Sequence, residues 1–192
     1  MSRRALVPLA LLAVSGCGDT ARPAVFQVAS RPNEVATAFA LGSDRAVTVA
    51  HVIDGRVVRL QDGRRATIQF VDQANDLAVL SVPGLHAPRT RFRSPSGGVV
   101  VLVVRRGRGV ALPARVRRSI IARIRTPDGR HVVRRRALEL AADIGPGDSG
   151  APVVTHDGRV AGVVFAQSNR RDHTAYAVSA LAARPLRPAG PS

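Results

Sequence analysis

A chain of 192 residues is long enough for one ordinary domain, or for two small lobes that share a core. With 45% hydrophobic residues it can bury that core, which excludes a globally disordered chain; with 3% aromatics it must fill it with Val, Ala and Leu, a composition that suits strands better than a helical bundle. The formal charge is +16 and every one of the 29 basic residues is arginine, which raises a nucleic-acid reading, but the aromatic platforms of single-strand binders are nearly absent.

In chain order, "MSRR" gives a positive start and "ALVPLALLAV" an apolar run too short to span a bilayer. "VSGC" follows, so residues 1–16 read as a secretory signal. "LLAVSGC" resembles the bacterial lipobox, in which the cysteine is lipidated and becomes the mature N-terminus; a plain signal peptide with an incidental cysteine is the alternative. Cys17 is the single cysteine, so no disulfide forms within the chain and stability rests on packing. Lipidation at Cys17 would place the protein outside the cytoplasm, anchored to the outer face of a bacterial membrane. Loss of residues 1–16 removes Arg3 and Arg4 and lowers the charge from +16 to +14.

Residues 17–32 read as a tether, and residues 33–183 as the folded domain. "EVATAFALG" and "AVTVAHVI" flank the turn "SDR"; "RVVRL" and "RRATIQF" flank "QDG"; "DLAVLSV" is a short buried run. After the Pro, Gly and Ser of 83–98, strand signals resume with "VVVLVV", "ARVRRSIIARIR" and "HVVRRRALEL", the last two joined by the turn "TPDGR". Ile120, Ala122 and Ile124 alternate with Arg123 and Arg125, the period of a strand with one wet face. "APVVT" and "RVAGVVFAQ" flank "HDG", and "TAYAVSAL" closes the domain before a tail at 184–192. Only "VSALAARPL" has a helical period. Ten to twelve short strands in two groups predict an all-β protein with two sheets or barrels, about 33–90 and about 97–183.

The basic excess is concentrated, with twelve arginines between residues 105 and 136 against one acid, Asp128. A solvated basic face, and arginine use set by a GC-rich genome, is the plain reading. Binding of anionic envelope lipids or polymers is the second, and nucleic acid the least favoured.

Three short motifs carry chemistry. "TVAHVID" puts His51 after a strand of the first group, "NDLAVL" puts Asp76 just before another, and "GPGDSGAP" puts Ser149 in the second group. A nucleophilic serine needs a base to take its proton and a carboxylate to orient that base. Each residue alone has a plain reading as a turn or strand-end residue. Their order is more telling: Asp76 follows His51 by 25 residues, and Ser149 follows Asp76 by 73. This arrangement resembles the trypsin-like serine peptidases, and within them the bacterial Deg/HtrA-type protease domains and the actinobacterial periplasmic acid-resistance proteases. The similarity covers about residues 33–182, including "GRVAGVVFAQ" and "TAYAV".

The resemblance implies two six-stranded antiparallel β-barrels with the active site in the cleft between them, and an endopeptidase that works through an acyl-enzyme without a cofactor or metal. Ser149 would be the nucleophile, His51 the general base and Asp76 its orienting acid, with the N–H groups of Gly147 and Ser149 as the oxyanion hole. Asp143, six residues before Ser149, takes the spacing of an acidic pocket floor, which would select Arg or Lys; a surface acid balancing nearby arginines is the alternative. Phe165, Ala166 and Gln167 would lie along the substrate strand, and Thr174 and Tyr176 near the pocket wall. Two departures stand out. Ala151 replaces a second glycine, where its methyl is either tolerated or crowds the cleft floor; and with no "IVGG" activation sequence, Asp148 must find a partner other than a freed N-terminus or stay solvated. Asp54 and Asp72 are poorer candidates for the orienting acid. The reading from another class is a catalytically weak relative that binds peptides or envelope anions.

Overall fold

A computed structural model describes residues 22–31, 34–95, 97–125 and 130–183. The signal segment, Cys17, most of the tether, the turn at 126–129 and the tail at 184–192 lie outside the described residues.

Twelve strands and no helix occur among the described residues. The first six are β1 (Val25–Arg31), β2 (Glu34–Gly42), β3 (Arg45–Val49), β4 (Val57–Leu60), β5 (Arg65–Asp72) and β6 (Leu77–Ser81). The next six are β7 (Gly98–Arg105), β8 (Arg108–Arg125), β9 (Val132–Ala141), β10 (Pro152–Thr155), β11 (Val160–Gln167) and β12 (Thr174–Ser179). Antiparallel pairing closes each group of six into a barrel, in the order β1-β2-β3-β6-β5-β4 and then β10-β11-β12-β9-β8-β7. Closure removes the exposed edges that an open sheet would present to other chains.

β1 occupies residues assigned above to the tether. "VFQVAS" is short and lies between Arg- and Pro-containing stretches, so its local signal is weak; what makes it a strand is its partners, β2 on one side and β4 on the other, and without it the first barrel would stay open. β3 ends at Val49, so His51 lies in the turn beyond the strand and not within it. β8 is longer than the expected segment, running 18 residues through Pro113, with outward arginines alternating against half-buried aliphatics. After β12 the chain turns at 180–182, and the helical period of "VSALAARPL" forms no helix among the described residues.

The core has three parts. Ala36, Ala38, Ala40, Val49, Val58 and Leu80 fill the first barrel, and Val101, Leu138, Leu140, Val153 and Val164 the second. A third cluster joins them: Phe39, Val47 and Leu77 from the first barrel pack on Val154, Val160, Val163 and Val178 from the second. β2 therefore buries both faces. Its alanines point into the barrel, while Thr37 and Phe39 face the seam, and the central "ATAFA" carries no charge because neither face meets water there.

Polar groups lock the same seam. Thr37 N donates to Ser149 O at 2.8 Å and Thr37 Oγ1 to Gly147 O at 3.0 Å; Thr48 Oγ1 donates to Thr37 O at 2.8 Å. Gly150 sits hard against this contact, with a φ of +88°, and a Cβ built there would lie 2.0 Å from Thr37 O. Gly150→Ala should therefore lower stability by about 3 kcal/mol or more, through strain and the separation of the two strands it touches. Urea unfolding checks this, and an unchanged midpoint would mean that the seam can give.

Candidate active site

Adjacent strands set the first half of the site. β3 and β6 pair in register with Val49 opposite Leu77, so the residues just beyond β3 and just before β6 emerge side by side. Ala50 N donates to Asp76 O at 3.0 Å, and His51 N to Asp76 Oδ1 at 2.9 Å. His51 Nδ1 lies 2.7 Å from Asp76 Oδ2. Asp76 takes a left-handed φ of 57°, a conformation that Asp tolerates better than most residues. Donation from Nδ1 to the carboxylate leaves Nε2 as the acceptor, the tautomer that a general base requires. The hydrogen bond to Asp76 raises the proton affinity of His51 above its ordinary value; burial opposes it, the Asp76 charge adds to it, the Arg135 charge opposes it and Glu34 adds to it.

Of the other candidate acids, Asp72 is engaged elsewhere through its carboxylate and Asp54 is placed by its backbone. Asp72 caps its own turn, accepting from Asn75 N at 3.0 Å and Asn75 Nδ2 at 2.8 Å. Asp54 lies across from Ser30, whose Oγ accepts from Asp54 N.

The second barrel supplies the serine. Ser149 stands in a turn just before β10, and its carbonyl and that of Gly147 are bound by Thr37 on β2, the strand next to the one that leads to His51. On the other side Gly150 N donates to Val164 O and Val164 N to Ala151 O, so the turn is pinned to both barrels. Gly147 has a φ of +88°, which an L side chain rarely adopts. Among the described residues no hydrogen bond joins the Ser149 hydroxyl to His51; such bonds are often long or misaligned before substrate docks. Ala151 is fully buried in the core of the second barrel, so its methyl does not face the cleft.

Asp148 finds the partner that the sequence leaves open. Its carboxylate is 2% exposed and accepts from Arg105 at 2.7 Å and from Gly145 N at 2.9 Å. Arg105, at the end of β7, also donates to Asp143 O, and its hydrogen bond to Asp148 holds its proton more firmly than usual. The arginine ends an apolar strand and nothing local marks it, so this pairing is not legible from the sequence.

The proposed substrate residues separate into two groups. Asp143, Gln167 and Thr174 line one polar depression with Ala142, Ile144 and His173. The Asp143 side chain is 84% exposed and 3.7 Å from His173, which puts it at the rim and not at a buried floor. Ala166 pairs with Tyr176 across β11 and β12. The ring of Phe165 lies 6.4 Å from that of Tyr176, and the Tyr176 hydroxyl accepts from Arg171. Behind them Glu139, buried, is hydrogen-bonded by Arg118 and Arg171, which together hold its carboxyl below the usual range. No group of His, Cys, Asp and Glu able to hold a metal occurs among the described residues.

Residues 36–163 match the family model of the trypsin-like peptidase domain. The chain is 34% identical over 156 residues to the serine protease Rv3671c of Mycobacterium tuberculosis, which covers 75% of this chain and 39% of the relative. The chain thus spans about two fifths of the length of that curated relative. The crystal structure of the active form of the Rv3671c protease superposes with a TM-score of 0.74 at 28% identity, covering 95% of this chain and 88% of the other. The inactive form gives 0.68 at 31% identity, covering 84% and 85%. A serine endoprotease from Yersinia pestis, at 22% identity, TM-score 0.59 and coverage of 84% and 60%, shares the fold.

Arg105→Met should strand the Asp148 carboxylate in the interior. We expect a loss of about 2 kcal/mol, less than for a fully buried pair because Arg105 is partly exposed. Arg105→Lys should recover part of it; equal thermal stability of all three proteins would show that Asp148 needs no cation.

Proposed function

This chain belongs to the trypsin-like peptidase family, and we propose that it is a serine endopeptidase that cleaves peptide bonds through an acyl-enzyme. The supporting observation is the His51–Asp76 contact of 2.7 Å in the first barrel, with the Ser149 turn pinned from the second barrel onto the strand beside it.

On this reading Ser149 Oγ attacks the scissile carbonyl while His51 Nε2 takes its proton. Asp76 keeps the imidazole in the productive tautomer and stabilises its charge, and His51 then returns the proton to the leaving amine. The N–H groups of Gly147 and Ser149 face the oxyanion, and the left-handed Gly147 lets the peptide turn inward. The depression beside Asp143, Gln167 and Thr174 receives a substrate side chain.

The same proposal places the domain outside the cytoplasm, held by lipid on Cys17. The β8–β9 ribbon supports an anionic surface as neighbour. Ile121 is opposite Arg136, Arg123 opposite Arg134 and Arg125 opposite Val132, so arginines and exposed aliphatics share one face. Like charges set directly across a ladder cost stability, and a negative surface relieves that cost.

A fluorophosphonate probe should label the wild type and not Ser149→Ala, and Asp76→Asn should cut turnover by about 10⁴-fold. Because Asp76 raises the proton affinity of His51, kcat/KM should fall about tenfold per pH unit below a limb lying above 6.5. Absence of labelling in the wild type would leave the binding reading instead. For the surface, Cys17→Ser protein should bind phosphatidylglycerol vesicles better than phosphatidylcholine ones, weakening with salt; Arg123→Glu with Arg134→Glu should abolish the difference. Binding indifferent to salt and to lipid charge would dispose of that part.

A further inference from the structure

Arg135 is the only buried arginine among the described residues. On β9 the outward positions 134 and 136 are exposed arginines, while the inward face runs Val133, Arg135, Ala137. An aliphatic residue is expected at such a position. The side chain is 5% exposed, and its Nε has no hydrogen-bond partner. The guanidinium stands 4.9 Å over the ring of Phe165, and its Nη1 is 3.5 Å from Asp76 Oδ2, the oxygen that also meets His51 Nδ1 at 2.7 Å. A strand of the second barrel thus delivers a permanent cation to the carboxylate of the first.

Burying this charge is costly, and desolvation is the leading influence on Arg135, pulling its proton affinity down. A well-packed aliphatic side chain would serve stability as well or better. We propose that Arg135 is a positioning residue that shares the Asp76 carboxylate with His51, holding that carboxylate in place while its charge opposes a proton on the imidazole, so that the base stays free at lower pH than Asp76 alone would allow. The inference rests on the reading of His51 as base and Asp76 as its orienting acid.

The sign follows from the charges that face the ring. Asp76, from the turn before β6, favours the imidazolium through its hydrogen bond and its charge; Glu34, at the start of β2, favours it more weakly; Arg135, from β9, opposes it. Asp72, at the end of β5, acts on Arg135 itself. Removing the guanidinium leaves the whole carboxylate to the imidazolium, so His51 should hold its proton to higher pH.

Two neutral variants, Arg135→Met and Arg135→Gln, and the charged Arg135→Lys test this. Their folding is checked by circular dichroism. In the neutral variants the acidic limb of kcat/KM should move up by roughly half a pH unit or more, while Arg135→Lys stays nearer the wild type. The His51 imidazole resonance, titrated in a Ser149→Ala background where no turnover is needed, should move the same way. A limb and a resonance that stay put or move down in a folded neutral variant overturn the proposal; a uniform loss of rate at every pH, with both unmoved, marks Arg135 as structural only and overturns it too. If the resonance moves up but the wild type neither hydrolyses peptides nor labels, the coupling stands and the catalytic reading of the site fails.

Discussion

The seam between β2 and the Ser149 turn is the contact on which the rest of this molecule depends. Each barrel is closed on itself, so the two halves meet through side chains, the backbone groups of the Ser149 turn and the connecting residues 90–93, which bond to Leu41 and Val160. Thr37 uses both its backbone and its side chain, binding the carbonyls of Ser149 and Gly147, and is itself held by Thr48. Phe39 packs two residues further along the same face. The hydrogen bonds fix position and the apolar cluster supplies most of the free energy, so the placement of the serine against the histidine side is a product of ordinary core packing.

Carboxylates are scarce here: 13 Asp and Glu face 29 arginines. Most of the buried or half-buried ones are assigned to guanidinium groups, Asp72 being held by Asn75 instead. Asp148 takes Arg105, Glu139 takes Arg118 and Arg171, Asp157 takes Arg93 and Asp76 takes Arg135. Asp157, hydrogen-bonded by Thr155 and Arg93, is held down to about 2. The basic excess thus appears partly as guanidinium groups that cap these carboxylates, mostly from the surface, and partly as a charged ribbon. Arginine suits both places, since its fork binds carboxylates in a fixed geometry and its stem covers apolar surface.

Much of this could be read from the sequence, and the gaps have physical causes. Strands with a one-sided pattern, such as the β8 run of Ile120, Ala122 and Ile124, were visible because alternation is a local property. The adjacency of His51 and Asp76 was implied by motif order and is accounted for by the Val49–Leu77 register, which no single segment contains. β1 is not legible in the sequence because its stability comes from β2 and β4 and not from its own composition. Arg105 and Arg135 are hidden among twelve arginines whose charge looks the same in sequence; only the fold tells which of them meets Asp148 or Asp76.

The pinning of the Ser149 turn also divides the site into a local half and a long-range half. His51 and Asp76 need only the first barrel to meet, since they flank the paired strands β3 and β6 and are 25 residues apart. The turn can settle only when β10 has slotted between β7 and β11 and the finished second half has docked on Thr37, contacts that span up to about 110 positions of chain. Pairings of such long range are slow to form. The hydroxyl-bearing corner thus belongs to neither half alone: it takes its final shape only where the two halves are joined.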